Sequence, residues 1–279
     1  MTAHFAAFSF VDRITEFAAG SRARGSFWVP EGLRGFPQCL VAEAIGQLAA
    51  WAAMSHVDFR GRPVAALATE TRFVSEVLPG ETLQLAVDIE DCNDDTVVYG
   101  GSAVVDGRPI VELEHCLGPM LPVADFDDPD ALRQRLELLR GEGAPRGRFR
   151  GVEPMESVSI EHVPGKSLRA RLSLPHEAPF FADHFPRNPV VPATLLLDAQ
   201  IRAAARLVAQ SSGPHVARPV ATRMTHVKMR SFIAPGQDVE LGAELASQDA
   251  HGSRINLSAR IADRTVATAR VEFGEGAAA

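Results

Sequence analysis

Residues 178–200 read A-P-F-F-A-D-H-F-P-R-N-P-V-V-P-A-T-L-L-L-D-A-Q, and two kinds of backbone meet within them. Pro179, Pro186, Pro189 and Pro192 hold φ near about −65° and restrict the residues before them. The first part is therefore predicted to be a stiff extended loop, neither helix nor regular strand, that gives His184 a defined place. From Ala193 the spacing turns helical: Leu195, Leu196, Ala199, Ala203 and Leu207 form one apolar stripe, and Pro192 suits a first-turn position that needs no amide donor. A helix start offers unpaired amides and a partial positive charge, which suit an oxyanion, and the same helix carries Asp198.

Working outward, the chain repeats itself. Residues 37–54 match 192–209 at an offset of 155, which sets Glu43 opposite Asp198. Upstream, 17–30 match 162–175 at an offset of 145, so the second copy has gained ten residues, or the first has lost them, in the segment that bears His184. Downstream, 72–85 match 228–241, each with a Pro-Gly turn. Strands are then predicted over 84–90, 96–105 and 109–117, mirrored over 240–247, 254–262 and 265–273, several alternating apolar with polar residues as half-buried antiparallel strands do. Asp106-Gly107 is a hairpin signal and His251-Gly252 a weaker one. Between the copies, 129–139 reads as a short amphipathic helix capped by Asp128, followed by a Gly/Arg-rich linker over 140–151. The expected units are 1–125, which lacks the His loop, a linker over 126–151, and 152–279, which carries it.

Composition sets the outer limits. A 279-residue chain with 46% hydrophobic and 23% charged residues can bury a real core. A net charge of −7 argues against general nucleic-acid binding. Cys39, Cys92 and Cys116 form no C-x-x-C pair and no disulfide framework, which fits a reducing cytoplasm. Residues 1–10 have no basic start or long apolar run, and no segment approaches the roughly 20 apolar residues of a membrane span. A secreted or membrane-spanning protein is not expected.

H-F-P-x-x-P-V-x-P at 184–192, followed by a helix with an acid fourteen places after the His, resembles the 3-hydroxyacyl-[acyl carrier protein] dehydratases of the FabA/FabZ type. That resemblance implies an α+β double hotdog, with two curved antiparallel sheets each wrapping a long central helix, so that one chain contains what single-hotdog members build as a homodimer. It implies dehydration of 3-hydroxyacyl thioesters carried on acyl carrier protein or CoA. His184 would be the base, and its acid would come from the neighbouring unit. By the family's acid-x-x-x-Gln pattern, that acid is Glu43, oriented by Gln47. Asp198, with Arg202 at the Gln position, is the less favoured acid and marks a decayed second site, since residues 29–36 contain no His. The amide of Ala193, with Thr194, would bind the thioester oxygen, and Phe185 and Pro192 would line the substrate site. Ala193 stands where the family has Gly, which matters if that backbone needs φ > 0 or close approach. Arg187 and Asn188 also depart from the family.

The quieter readings are structural. Asp198 and Arg202 suit a salt bridge, and the Leu40, Val41, Ile45, Leu48 and Trp51 stripe suits core packing with a share in an acyl tunnel. His115, His162, His176, His215, His226 and His251 have no metal-ligand spacing, and neither a metal nor a cofactor is expected. Cys39 lies at a helix start, where a buried structural thiol is commoner than a reactive one. Arg146, Arg148 and Arg150, or Arg218, Arg223, Lys228 and Arg230, either meet an acidic carrier or pantetheine phosphates or are simply solvated. Two other functions stay open, a non-catalytic acyl-thioester-binding scaffold and a thioesterase on the same fold. A monomer and a homodimer of double hotdogs are equally compatible with the sequence.

Overall fold

The helix that follows the His184 loop is α3, Ala193–Ser211, and its counterpart in the first copy is α1, Gln38–His56. The structure, a computed structural model, describes residues 4–211, 219–249 and 252–275. His215, Arg218 and His251 lie outside them. Both helices are apolar on most sides because each is wrapped by sheet. In α1 the buried positions run from Cys39 to Met54 and include the whole Leu40, Val41, Ile45, Leu48 and Trp51 stripe; in α3 the predicted stripe from Leu195 to Leu207 is buried.

The strands are β1 Arg13–Ala18, β2 Arg22–Trp28, β3 Gly61–Pro63, β4 Leu67–Phe73, β5 Thr82–Cys92, β6 Thr96–Val105, β7 Arg108–Pro122, β8 Ser157–Val163, β9 Ser167–Ser173, β10 Pro219–Met229, β11 Asp238–Asp249, β12 Gly252–Ile261 and β13 Arg264–Glu275. Their order in space is β1-β2-β5-β6-β7-β4-β10-β13-β12-β11-β9-β8, with β3 beside β7. Read from either end the order is the same, β1 answering to β8, β2 to β9 and β4 to β10. This is the double hotdog arrangement. The two sheets run into one another where β4 pairs antiparallel with β10, Thr71 opposite Met224 and Ala68 opposite Val227. α1 and α3 pack against each other behind that seam.

Close approach of helix to sheet depends on Gly101. A Cβ there would lie 2.5 Å from Ile45 Cγ2 and 2.7 Å from the Ala86 carbonyl, so any larger residue would push α1 and the acid-bearing turn off the sheet. The Asp106-Gly107 hairpin forms as expected, with φ of 48° and 81°. The Asp128 carboxylate accepts from the Asp130 and Ala131 amides at 2.9 and 3.2 Å and caps α2, Pro129–Arg140, which buries Leu132, Arg135, Leu136 and Leu139 and packs on β1.

Three features differ from the sequence reading. β1 and β8 are additional outer strands at the sheet's two edges, β1 burying only Ile14 and β8 leaving Val158 and Ile160 exposed. The start of the His loop is a 3-10 turn over Pro179–Ala182 rather than extended chain, since the φ of Pro179 also suits the first position of such a turn. Phe149, inside the Gly/Arg-rich stretch, is buried against Phe10 and Phe36, so part of that stretch is packed. Among the described residues no helix is long and apolar enough to cross a membrane.

Candidate active site

A cavity of about 500 Å3 lies between the two halves, and both His184 and Glu43 line it, whereas Asp198 does not. The exposed members of its lining, Ala65, Leu67, Arg230 and Phe232, mark its mouth.

The loop fixes the imidazole from several sides. The His184 amide donates to the Phe180 carbonyl at 2.9 Å, its carbonyl accepts from the Val190 amide at 3.1 Å, and the peptide to Phe185 is cis. Its ring stacks on Phe185 with centroids 4.2 Å apart and meets the Phe8 ring edge-on at 5.8 Å. Nδ1 lies 3.0 Å from the Val190 carbonyl, which can only accept, so the neutral ring carries its proton on Nδ1 and leaves the Nε2 lone pair free. Burial pulls the imidazole below its ordinary value of 6.5. The Glu43 carboxylate and the Val190 carbonyl pull the other way, and Arg62 adds to the lowering.

Glu43 comes from the other half. Gln47 Nε2, one turn along α1, donates to its Oε1 at 3.1 Å and to the Phe8 carbonyl at 2.9 Å, while Gln47 Oε1 accepts from the Phe10 amide at 2.8 Å. Thr194 Oγ1, in the first turn of α3, bonds Glu43 Oε2 at 2.8 Å. Both carboxyl oxygens are therefore held, one from each half. Ala193 and Thr194 open α3 ahead of its first backbone bonds, in which Leu195 and Leu196 donate to the Pro192 carbonyl. Ala193 and Thr194 line the cavity, and φ at Ala193 is not positive, so the backbone there does not demand glycine. Phe185 also lines it, and Pro192 is buried at the junction.

Several residues of the chamber carry no motif. Asp183, only 7% exposed, accepts from the Phe5 and Phe8 amides and the Ser9 hydroxyl, pinning the first described residues onto the His loop. Arg62 donates to Asp127 at 3.2 Å and lies 4.3 Å over the Phe185 ring; burial lowers its pKa, while Asp127 and then Glu43 raise it. Phe126 packs on Phe185, and its carbonyl accepts from the Arg187 amide, so the segment after β7 backs the loop. Tyr99, the one tyrosine, sits with its hydroxyl in the notch left by Gly46, hydrogen-bonded to Cys116; burial pushes the phenol well up and the thiol up to about 12. The adjacency of Asp183 to His184 was the only sequence signal for any of these.

The equivalent place at the other helix start is different. Cys39 stands where Thr194 does, Asp198 where Glu43 does, and Arg202 where Gln47 does. Arg202 Nε lies 3.1 Å from Asp198, and its other nitrogens bind Glu156 at 2.9 Å and the Met155 carbonyl at 2.8 Å. Burial raises Asp198, with Arg202 opposing. Burial also raises the Cys39 thiol far above its usual range, with Asp198 adding to it, which suits an inert structural thiol. Arg223, in the second basic group, is taken up by Glu70 and Glu272.

A family model described as ApeI dehydratase matches residues 160–270, and one described as FabA-like domain matches residues 34–114. The 3-hydroxyacyl-[acyl-carrier-protein] dehydratase FabZ of an Anaeromyxobacter species is 34% identical over 118 residues, covering 40% of this chain and 72% of the relative. That of Pediococcus pentosaceus is 28% identical over 117 residues, covering 42% and 78%. Among solved structures, a 12:0-ACP thioesterase from Umbellularia californica superposes with a TM-score of 0.57 at 10% identity, over 91% of this chain and 94% of that one. A MaoC-like dehydratase superposes at 0.55 and 11% identity, over 93% and 98%. At such identities these two speak for the fold alone.

Proposed function

For a chain that belongs to the FabA/FabZ-type dehydratase family, we propose removal of water from (3R)-3-hydroxyacyl thioesters, carried on acyl carrier protein or CoA, to give trans-2-enoyl thioesters. The observation that carries this reading is the shared chamber, in which a His with a free Nε2 from one half meets a doubly held carboxyl group from the other.

The thioester enters past Leu67 and Phe232, and its carbonyl oxygen faces the Ala193 amide at the start of α3. Unpaired helix amides stabilise the charge that grows on that oxygen as the C2–H bond breaks. His184 Nε2 takes the C2 proton, and keeping the resting ring neutral is what its burial achieves. The C2=C3 double bond forms as the C3–O bond breaks, and the departing hydroxyl takes a proton from Glu43 to leave as water. With Oε1 held by the Gln47 amide, Oε2 is the oxygen that carries this proton, sharing it with the Thr194 hydroxyl, whose hydrogen can turn either way. One proton moves onto His184 and one leaves Glu43, so the pair is reset by a single proton transfer between them through water.

The test is turnover by purified protein of a (3R)-3-hydroxyacyl pantetheine thioester, read by enoyl-thioester absorbance, with a thiol reagent reporting hydrolysis. Enoyl product without free thiol is expected. Free thiol as the main product would make the protein a thioesterase, and tight binding with no product a scaffold.

A further inference from the structure

The reaction needs only the middle of the chamber, yet its lining continues past Gln47 to Phe5, Val11 and Trp51 and reaches Leu132, Arg135 and Leu139 on α2. That helix lies between the two copies and has no counterpart in the repeat, so this arm is an addition to the two-unit plan. Its walls are apolar except at Arg135 and, where Phe5 meets the His loop, at Asp183 and Ser9, which bond each other.

Arg135 is 7% exposed. Its guanidinium lies 5.1 Å over the face of Phe5, and among the described residues it has neither a carboxylate at ion-pair distance nor a hydrogen-bond acceptor. The other charges of the chamber interior are accounted for. Arg62 is paired with Asp127, Asp183 is held by three donors, and Glu43 is held by Gln47 and Thr194. Asp183 and Asp12 act on Arg135 only from farther off, and Arg148 opposes them with like charge. Asp12 is itself bonded to the Trp28 amide at 2.8 Å. The unpaired nitrogens of Arg135 face the water of the cavity, with a ring face but no counter-ion beside them. An anion brought in by a ligand would supply that counter-charge.

We propose that Arg135 ends a second, substrate-selecting arm of the chamber, which takes acyl chains whose far end carries a carboxylate. The proposal rests on the dehydratase reading for the orientation of the substrate: with the thioester at Ala193 and C3 beside Glu43, the rest of the chain is directed past Gln47 and Trp51. A largely apolar lining with one unpaired cation favours an ω-carboxyacyl group over its methyl-terminated analogue. A charge-assisted hydrogen bond of this kind is worth on the order of tenfold or more in kcat/KM.

The experiment compares two 3-hydroxyacyl pantetheine thioesters of equal length, one ending in a methyl group and one in a carboxylate, with the wild type, Arg135→Met and Arg135→Lys. A wild-type preference for the carboxylate of about tenfold or more, collapsing towards one in Arg135→Met and partly kept in Arg135→Lys, is the expected result. A wild-type preference for the methyl end, or a ratio unchanged by Arg135→Met, overturns the proposal. Binding of the matching unreactive thioethers, measured by calorimetry, separates the two readings. If neither thioester turns over but the wild type still binds the carboxylate thioether tighter than Arg135→Met does, the arm stands and the dehydratase reading falls. Equal binding of both thioethers by the wild type sinks the arm itself, whatever happens to turnover.

Discussion

The two helix starts were built to one plan and have diverged at three side chains. At the start of α3, Thr194 reaches across to an acid whose second oxygen is held by an amide; at the start of α1, Cys39 faces an acid tied to a guanidinium. A neutral donor such as Gln47 orients a carboxyl group and leaves it free to exchange a proton. Arg202 instead supplies a permanent counter-charge, and with Glu156 and Met155 it turns the same position into a brace for the chain entering β8. The difference teaches that in a duplicated chain the fold can stay symmetric while the polar side chains at the two helix starts diverge, because sheet order depends on apolar pattern and not on those few side chains.

The comparison can be tested by degrading each site in turn. His184→Ala has no equivalent in the other site and should have the largest effect, lowering kcat by a factor on the order of 10²–10⁴ in a continuous enoyl assay. Thr194→Val removes a hydrogen bond to the carboxyl group and should lower kcat/KM by about tenfold, while Cys39→Val, its counterpart, should change it by less than about twofold. The pH profile should show the influence of burial on His184. The buried site disfavours the protonated ring, so the acid limb of kcat/KM that reports His184 should lie below the ordinary 6.5; an acid limb above 6.5 would mean that Glu43 outweighs burial. The smallest effect is expected from the brace. Asp198→Asn should shift Tm by only a degree or two, since Arg202 keeps its bonds to Glu156 and Met155 and the new amide still offers it an oxygen.

Much of the fold could be read from local pattern. The proline-spaced loop, the change to helical spacing at Ala193 and the 155-residue offset place both helices, and alternation with turn residues places the inner strands. The edge strand β1 escaped because it lacks clear alternation, and β8, although Val158 and Ile160 alternate with polar residues, buries neither of them. The continuous sheet escaped because pairing of β4 with β10 joins segments about 150 residues apart. For the site, His184, Glu43 and Gln47 follow from motif and repeat. Asp183, Arg62 and Arg135 do not, since each acts through partners far off in sequence: Asp183 through Phe5 and Phe8, Arg62 through Asp127 and Phe185, Arg135 through Phe5. Ala193, where the resembling family has Gly, does not need positive φ, because the helix begins there with ordinary backbone.

The proposal that the imidazole of the second half works with the carboxyl group of the first is tested most directly by turnover of a single 3-hydroxyacyl thioester by Glu43→Gln and Asp198→Asn, measured side by side at neutral pH. The predicted result is a loss on the order of 10² or more in the first variant and less than about a twofold change in the second. Equal losses in both, or the larger loss in Asp198→Asn, would contradict it.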